Sequence, residues 1–467
     1  MGLAAYTTTL LREKGRALGL VLVLAVTALA YFPSLFHLPR VDHWAYLEKV
    51  FLREDWYSLA VGSFALNREL VNGVPPGDEL FFRPVLFFLL GNEQYFFGAN
   101  FFLWQAFGIL LHLLVVGALY RFLWRIRPGA QAAAVAVVFA LMLANSEAVI
   151  WQHINGYVLF AWLVLLALER LYVFSVKKGR RDCLWSAAAL TMAAAFCFEA
   201  GSLYALAMFF YVYGVAVIPK VRRLSFLFLA VPFIYVSLSL LNYKFMGCSP
   251  AGSEGIAGGA AGFADIVKKF FFVLKWQVSS FFFVKDDVYI MGRMTTVPQV
   301  LTWAWPFNAL AWERVFALLA LVSSGVWLFV CCRLKKPLNR PFLLLLASML
   351  IGYAFFLAAG RVAPRGIGRG LVNCLYYLYD FWLLAAVFFY MLAASFEPVL
   401  SGGWRRITGS VALACLFLFA GYQAVAVYRT NQDCVVLGER FMREKVDPGS
   451  SYYKHFDPDR LRRSRYF

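Results

Sequence analysis

The chain has 467 residues, of which 62% are hydrophobic, 18% aromatic and 15% charged. A soluble domain carries roughly 25% charged residues, so this composition excludes an ordinary soluble fold and indicates a membrane-embedded one. The formal net charge of +18 would suit nucleic acid in a polar chain. In a chain this apolar, it suits cytoplasmic loops held against anionic headgroups.

The first long apolar run, Ala17 to Phe36, carries no charge and is long enough for one crossing at about 1.5 Å per residue. It is too long for a cleaved leader and no small-residue cleavage site follows, so it reads as a retained first helix near 17–38. Further spanning helices are expected near 98–122, 130–144, 156–176, 183–198, 201–218, 224–243, 313–332, 341–359, 371–395 and 407–428. The expected fold is therefore all-α and polytopic, with about eleven transmembrane helices whose backbones are satisfied internally in lipid. Segments 81–90 and 266–284 mix aromatic faces with charge and read as short interfacial helices. Residues 1–428 form the membrane unit, with outer loops at 39–97 and 244–312, and 429–467 forms a short basic tail.

Loop charges give the orientation, because Lys and Arg crowd cytoplasmic loops. Arg12, Lys14 and Arg16 keep the N-terminus inside, while acids outnumber bases between Arg40 and Glu93, which places that loop outside. Arg121, Arg125 and Arg127 return the chain inside, as do Lys177, Lys178 and Arg180, then Lys220 to Arg223, Arg333 to Arg340, and Arg405 with Arg406. The C-terminus is then outside. Cys248 and Cys434 both fall on the outer side, where a disulfide between them stays open.

One outer loop breaks the charge rule. GRVAPRGIGR, 360–369, carries Arg361, Arg365 and Arg369 on the side where a positive excess needs an anionic partner. A lipid-linked phosphate is the obvious one. Gly360, Pro364, Gly366, Gly368 and Gly370 favour an irregular loop whose amides and guanidiniums could close around phosphate. The alternative is three surface arginines meeting headgroups without specificity.

Ionisable residues at membrane depth suggest a site by default. Asp42, in PRVDHWAYLEKV beside His43, is either a general base at the membrane surface or the N-cap of the next helix. Glu147, in ANSEAVIWQHING with His153 and Asn155 nearby, is either a site carboxylate or a solvated one at a helix start. Glu199, in AAAFCFEAGSLY, is either functional or the partner of an interhelical ion pair with Arg83 or a loop arginine. Arg83 precedes Pro84, so its backbone is biased away from helix while its side chain sits at the interface. His112, inside a spanning helix, reads as a core histidine hydrogen-bonded across helices.

The chain has no Walker loop, no dinucleotide fingerprint and no CxxC or other metal-ligand spacing, so neither a soluble nucleotide nor a resident metal or other cofactor is expected.

Taken in order, Asp42, FFRPVLFFLLG, ANFFLWQAFGILLHLLVVGALYRFL, SEAVIWQHINGYVLFA and FEAG resemble the GT-C superfamily of membrane glycosyltransferases, particularly bacterial relatives of protein O-mannosyltransferases. The resemblance covers roughly residues 17–220. It implies a bacterial inner-membrane enzyme that moves a sugar from a polyprenyl-phosphate donor to a protein, lipid or glycan acceptor at the outer face. By the same resemblance Asp42 is the catalytic acidic residue of the first loop, and Glu147 and Glu199 line the site. Arg83 and the late arginine loop meet the lipid phosphate, and His43, His153 and Asn155 join them as candidate substrate contacts. Where many members carry an acidic pair after the first helix, this chain has Asp42 followed by His43. A transporter or flippase of a lipid-linked or anionic solute, or a polysaccharide polymerase or ligase, would also place arginines and carboxylates at membrane depth.

Overall fold

A computed structural model describes residues 3–38, 56, 79–80, 82–98, 100–176, 180–216, 218–246, 249–250, 263–280, 339–360, 376–396 and 402–445. Asp42, His43, Arg361, Arg365, Arg369 and the helix expected at 313–332 lie outside the described residues. Helix dominates. In chain order the elements begin with α1 (Leu3–Tyr31), α2 (Pro84–Phe97), α3 (Phe101–Ile126), α4 (Ala130–Leu141) and α5 (Leu143–Ile150). There follow α6 (Asn155–Val176), α7 (Arg181–Cys197), α8 (Ala200–Val215), α9 (Pro219–Arg223) and α10 (Phe226–Met246). The last are α11 (Phe263–Ser279), α12 (Arg340–Gly360), α13 (Tyr376–Phe396) and α14 (Gly402–Lys445). Two short strands, β1 (Glu79–Leu80) and β2 (Ser249–Pro250), pair in parallel and tie the first large loop to the second.

Among the described residues, seven helices are long and apolar enough to cross a membrane, or eight if the bent pair α4–α5 is one span. The protein is an integral membrane protein. One continuous apolar core runs from α1 to α14, with α6 and α7 packed together and α12 seated among α8, α11 and α13. The hairpin α7–α8 is short. Its helices of 17 and 16 residues reach only about 25 Å, less than the roughly 30 Å hydrocarbon thickness.

Polar contacts sort into two ends. At the basic end, Arg121 and Arg125 both pair with Glu169, Tyr120 donates to the Arg16 carbonyl, and Tyr390 donates to the Arg127 carbonyl. At the other end, the Gln105 amide donates to the Ile150 carbonyl at 2.9 Å. Gln105 and Arg121 sit on the same helix about 24 Å apart along its axis, so these are opposite ends of the bundle.

The expected outer turn at 145–156 takes a different form. α4 stops at Leu141, Met142 is extended (φ −60°, ψ 124°), and the chain turns by 62° into α5, every residue of which is buried. No proline or glycine causes this break. The backbone groups it frees are met by side chains, as lipid-facing or buried ones must be. The Asn145 amide donates to the Phe139 carbonyl at 2.8 Å, and the Leu143 N–H donates to Gln423 of α14 at 3.1 Å. α14 is also longer than the expected 407–428, continuing as helix through Lys445. Asn431 within it is fully buried, and its carbonyl accepts from His37 Nε2 at 2.8 Å.

Candidate functional site

The end of the bundle opposite Glu169 gathers Arg83, Glu93, Glu147, Asn155 and Glu199. Each is placed by a local feature of its sequence. Pro84 opens α2 and holds Arg83 outside the helical region at φ −132°, ψ 62°. The Tyr235 hydroxyl pins the preceding Phe82 carbonyl at 3.0 Å. Glu199 occupies the tight turn between α7 and α8, where a Cβ on Gly201 would fall 2.5 Å from the Ala195 nitrogen. Only glycine allows that approach.

Arg83 and Glu199 meet as a two-pronged pair. Arg83 Nε donates to Oε1 at 3.0 Å and Nη2 donates to Oε2 at 2.9 Å. The third arm, Nη1, donates to the Tyr157 hydroxyl at 2.7 Å. The guanidinium carbon also lies 5.0 Å from the Phe198 ring centroid and 5.4 Å from that of Tyr157, an aromatic seat that favours a cation. Burial alone would weaken the charge on Arg83. The Glu199 carboxylate, with Tyr157 and Tyr377, outweighs that and raises its pKa well above the ordinary value. Of the alternatives for Glu199, the structure forms the ion pair with Arg83.

Glu147, on α5, is buried rather than solvated, with 1% exposure. Its Oε2 accepts from the backbone N–H of Tyr376 at 3.0 Å, at the first residue of α13. The Tyr376 ring packs on Tyr377, Tyr157 and Trp151 with centroids 4.3, 4.8 and 5.9 Å away, and Trp151 meets the edge of His153 at 4.7 Å. One chain of contacts thus joins Glu147, Tyr376, Tyr157, Arg83 and Glu199.

Asn155 opens α6 and donates to Glu93 Oε1 at 2.9 Å. Glu93 is buried on α2, and burial pushes its carboxyl up to about 8, with the Asn155 bond pulling partly the other way. Glu93 is a residue that sequence reasoning counted only as a loop acid. Its signal is an acid inside the apolar run FFLLGNEQYFF. Asp380 was missed in the same way. It is buried within α13 and accepts from the Tyr204 hydroxyl, although a lone acid in a spanning helix is the pattern that marks a candidate.

His112 is a satisfied core histidine, as its sequence suggests. The Ala140 carbonyl, 3.1 Å from Nε2, can only accept, so Nε2 carries the proton and Nδ1 accepts from the Tyr379 hydroxyl at 2.7 Å. Among the described residues, no group of three or more His, Cys, Asp or Glu side chains could hold a metal ion.

No family model matches the sequence, and no curated protein matches it. Among solved structures, the chain is similar to ArnT from Cupriavidus metallidurans bound to undecaprenyl phosphate. The two share 15% identity over 95% of this chain and 84% of that one, with a TM-score of 0.45.

Proposed function

We propose that this protein is a GT-C-type membrane glycosyltransferase. It transfers a sugar from a polyprenyl-phosphate donor to an acceptor at the non-cytoplasmic face. The observation that carries this reading is the burial of Arg83, Glu93 and Glu147 at one end of an apolar bundle, with the part-buried Glu199 paired to Arg83 beside them. Charges are costly at such depth and are kept where chemistry needs them.

The acceptor hydroxyl or amine attacks the anomeric carbon, and its proton passes to a carboxylate base. The polyprenyl phosphate leaves already ionised, so arginine forks stabilise it without a general acid. A single displacement inverts the anomeric centre. Both oxygens of Glu199 are engaged by Arg83, and Glu147 Oε2 by Tyr376; the base is assigned to Asp42 on the resemblance of the sequence to GT-C enzymes. Such a base contributes roughly 10²–10⁴-fold when it lies within hydrogen-bond reach of the nucleophile.

The test is transfer by the purified protein from a panel of polyprenyl-phosphate sugars, with nucleotide sugars as controls. Transfer with inversion from a lipid donor alone is the expected result. Movement of a lipid-linked solute across a reconstituted bilayer, with no sugar transferred, would replace this reading with that of a transporter.

A further inference from the structure

The turn that carries the chain from α5 into α6 gathers buried polar side chains. Trp151 ends α5, Gln152 opens a single 3-10 turn, and Asn155 begins α6. Gln105 of α3 lies against this turn, its amide donating to the Ile150 carbonyl at 2.9 Å. One helical turn along α3, a Cβ on Gly108 would fall 2.9 Å from the Val149 carbonyl and 3.0 Å from Asn155 Oδ1, so glycine permits the close approach. Gln105, Gln152 and Asn155 are at most 1% exposed and Trp151 is 7% exposed. Yet Gln105 Oε1, Trp151 Nε1, both amide atoms of Gln152 and Asn155 Oδ1 have no hydrogen-bond partner among the described residues. A buried polar atom without a partner is costly, and several at one place need a reason.

These atoms select the chemistry of what they would bind. Trp151 Nε1 and Gln152 Nε2 donate, whereas Gln105 Oε1, Gln152 Oε1 and Asn155 Oδ1 accept. A phosphate is served by donors alone and a cation by acceptors alone. A sugar hydroxyl gives one hydrogen bond and receives others, so it matches the mixed set. We propose that Gln105, Trp151, Gln152 and Asn155 form a subsite for a saccharide ring, the one carried by the lipid donor. This rests on the proposed glycosyl transfer and names where its sugar is recognised. The subsite lies at the same end of the bundle as Arg83. The Trp151 ring is 5.9 Å from that of Tyr376, which packs at 4.8 Å on Tyr157, whose hydroxyl accepts from Arg83. Two aromatic rings thus connect the amide cluster to the guanidinium.

Gln152 is the position to test, because its side chain makes no hydrogen bond among the described residues. Gln152→Met keeps the length and removes both polar atoms, so a glutamine that only fills space would lose nothing by the change. Gln152→Leu makes the same comparison with a branched side chain. For the full-length protein in lipid nanodiscs, affinity is measured for polyprenyl phosphate and for polyprenyl-phosphate mannose, glucose, galactose and N-acetylglucosamine. Wild type should bind the best of the sugar-bearing lipids about tenfold or more tighter than polyprenyl phosphate, the worth of one or two good hydrogen bonds. In Gln152→Met and Gln152→Leu that preference should shrink to about threefold or less. Their affinity for polyprenyl phosphate should stay at the wild-type level, and their melting temperatures should be no lower.

An undiminished preference in both variants overturns the inference. So does an equal loss for lipids with and without a sugar, which marks Gln152 as packing alone. A raised KM for a glycan acceptor, with the donor preference intact, would assign the ring to the acceptor and overturn it as well. If wild type binds none of these lipids, the proposed function fails, and methyl glycosides of the same sugars then test the subsite by itself. Glycoside binding that Gln152→Met abolishes upholds a saccharide subsite, and no glycoside binding by wild type overturns it.

Discussion

Arg83 and Glu199 face each other with two parallel hydrogen bonds of 3.0 and 2.9 Å, joining the start of α2 to the turn between α7 and α8. The Arg83 side chain is 7% exposed and that of Glu199 20%, so the pair sits at the margin of the buried core. A guanidinium so placed is fully ionised and already charge-balanced. In the proposed reaction a donor phosphate that meets Arg83 must compete with Glu199, exchanging one anion for another without stranding the cation.

Breaking the pair from one side should therefore be costly. Glu199→Gln leaves the Arg83 charge without its counterion, and Arg83→Lys replaces a fork with a point charge that cannot span both oxygens. Losing one partner of a fully buried pair costs about 3–5 kcal/mol; partial exposure of Glu199 brings the expectation nearer about 2 kcal/mol. Combining Arg83→Met with Glu199→Gln should be less damaging than the separate effects of Arg83→Met and Glu199→Gln added together, with a coupling of about 1–3 kcal/mol. Thermal unfolding of the single and double variants in detergent measures this. Strict additivity would show that the pair contributes nothing to the fold.

Glu93 should give the protein a pH-dependent stability of definite sign. Its folded-state pKa of about 8 lies above the ordinary 4.5, because burial disfavours the ionised form. The folded protein then holds this proton more tightly than the unfolded one. Its stabilisation is complete below about 4.5 and is lost as pH rises through about 8. The loss is at most roughly 1.4 kcal/mol per pH unit. Glu93→Gln keeps an acceptor for Asn155 and cannot ionise, so it should flatten the slope and be more stable than wild type at alkaline pH. Parallel melting curves from pH 5 to pH 9 (about the range detergents tolerate) compare the two directly. Equal slopes would place the titration elsewhere.

What could be read in the sequence was local. Pro84 after Arg83 predicts a residue held out of the helix, and a lone carboxylate at a tight junction predicts a partner for Glu199. Both are present. The burial of Glu147 was not legible, because the break at Met142 carries no proline or glycine and is stabilised by Gln423 from 280 residues away. The length of α14 was obscured similarly. Polar residues after Arg429 look like a tail, whereas Asn431 is held by His37 from the end of the first helix. Glu93 and Asp380 were legible in principle, since each is an isolated acid in an apolar run. The arginine segment and Asp42 stay expectations from sequence, outside the described residues.

Orientation follows from the charge bias and from the two distinct ends of the bundle. The end holding Arg121, Arg125 and Glu169 should be cytoplasmic, and the end holding Arg83, Glu147 and Glu199 should face outward. In intact cells, Lys178→Cys should resist an impermeant thiol reagent, while Gly449→Cys should react with it. The opposite pattern inverts the protein and places the charged site on the cytoplasmic side, where a nucleotide-sugar donor would become available.

Asp42 carries the remaining chemical assignment, and its two readings separate cleanly. As a base, it must be ionised to accept the acceptor's proton, so Asp42→Asn should retain expression and melting temperature while kcat falls by roughly 10²–10⁴-fold. Donor KM should hardly change, because proton transfer is distinct from the arginine contacts proposed to hold the phosphate. As an N-cap, Asp42 would be replaced well by asparagine, which caps a helix about as effectively as aspartate. Sugar transfer by Asp42→Asn at several donor concentrations therefore decides between them. Near-wild-type kcat identifies a cap, and the base must then be sought elsewhere in the two outer loops.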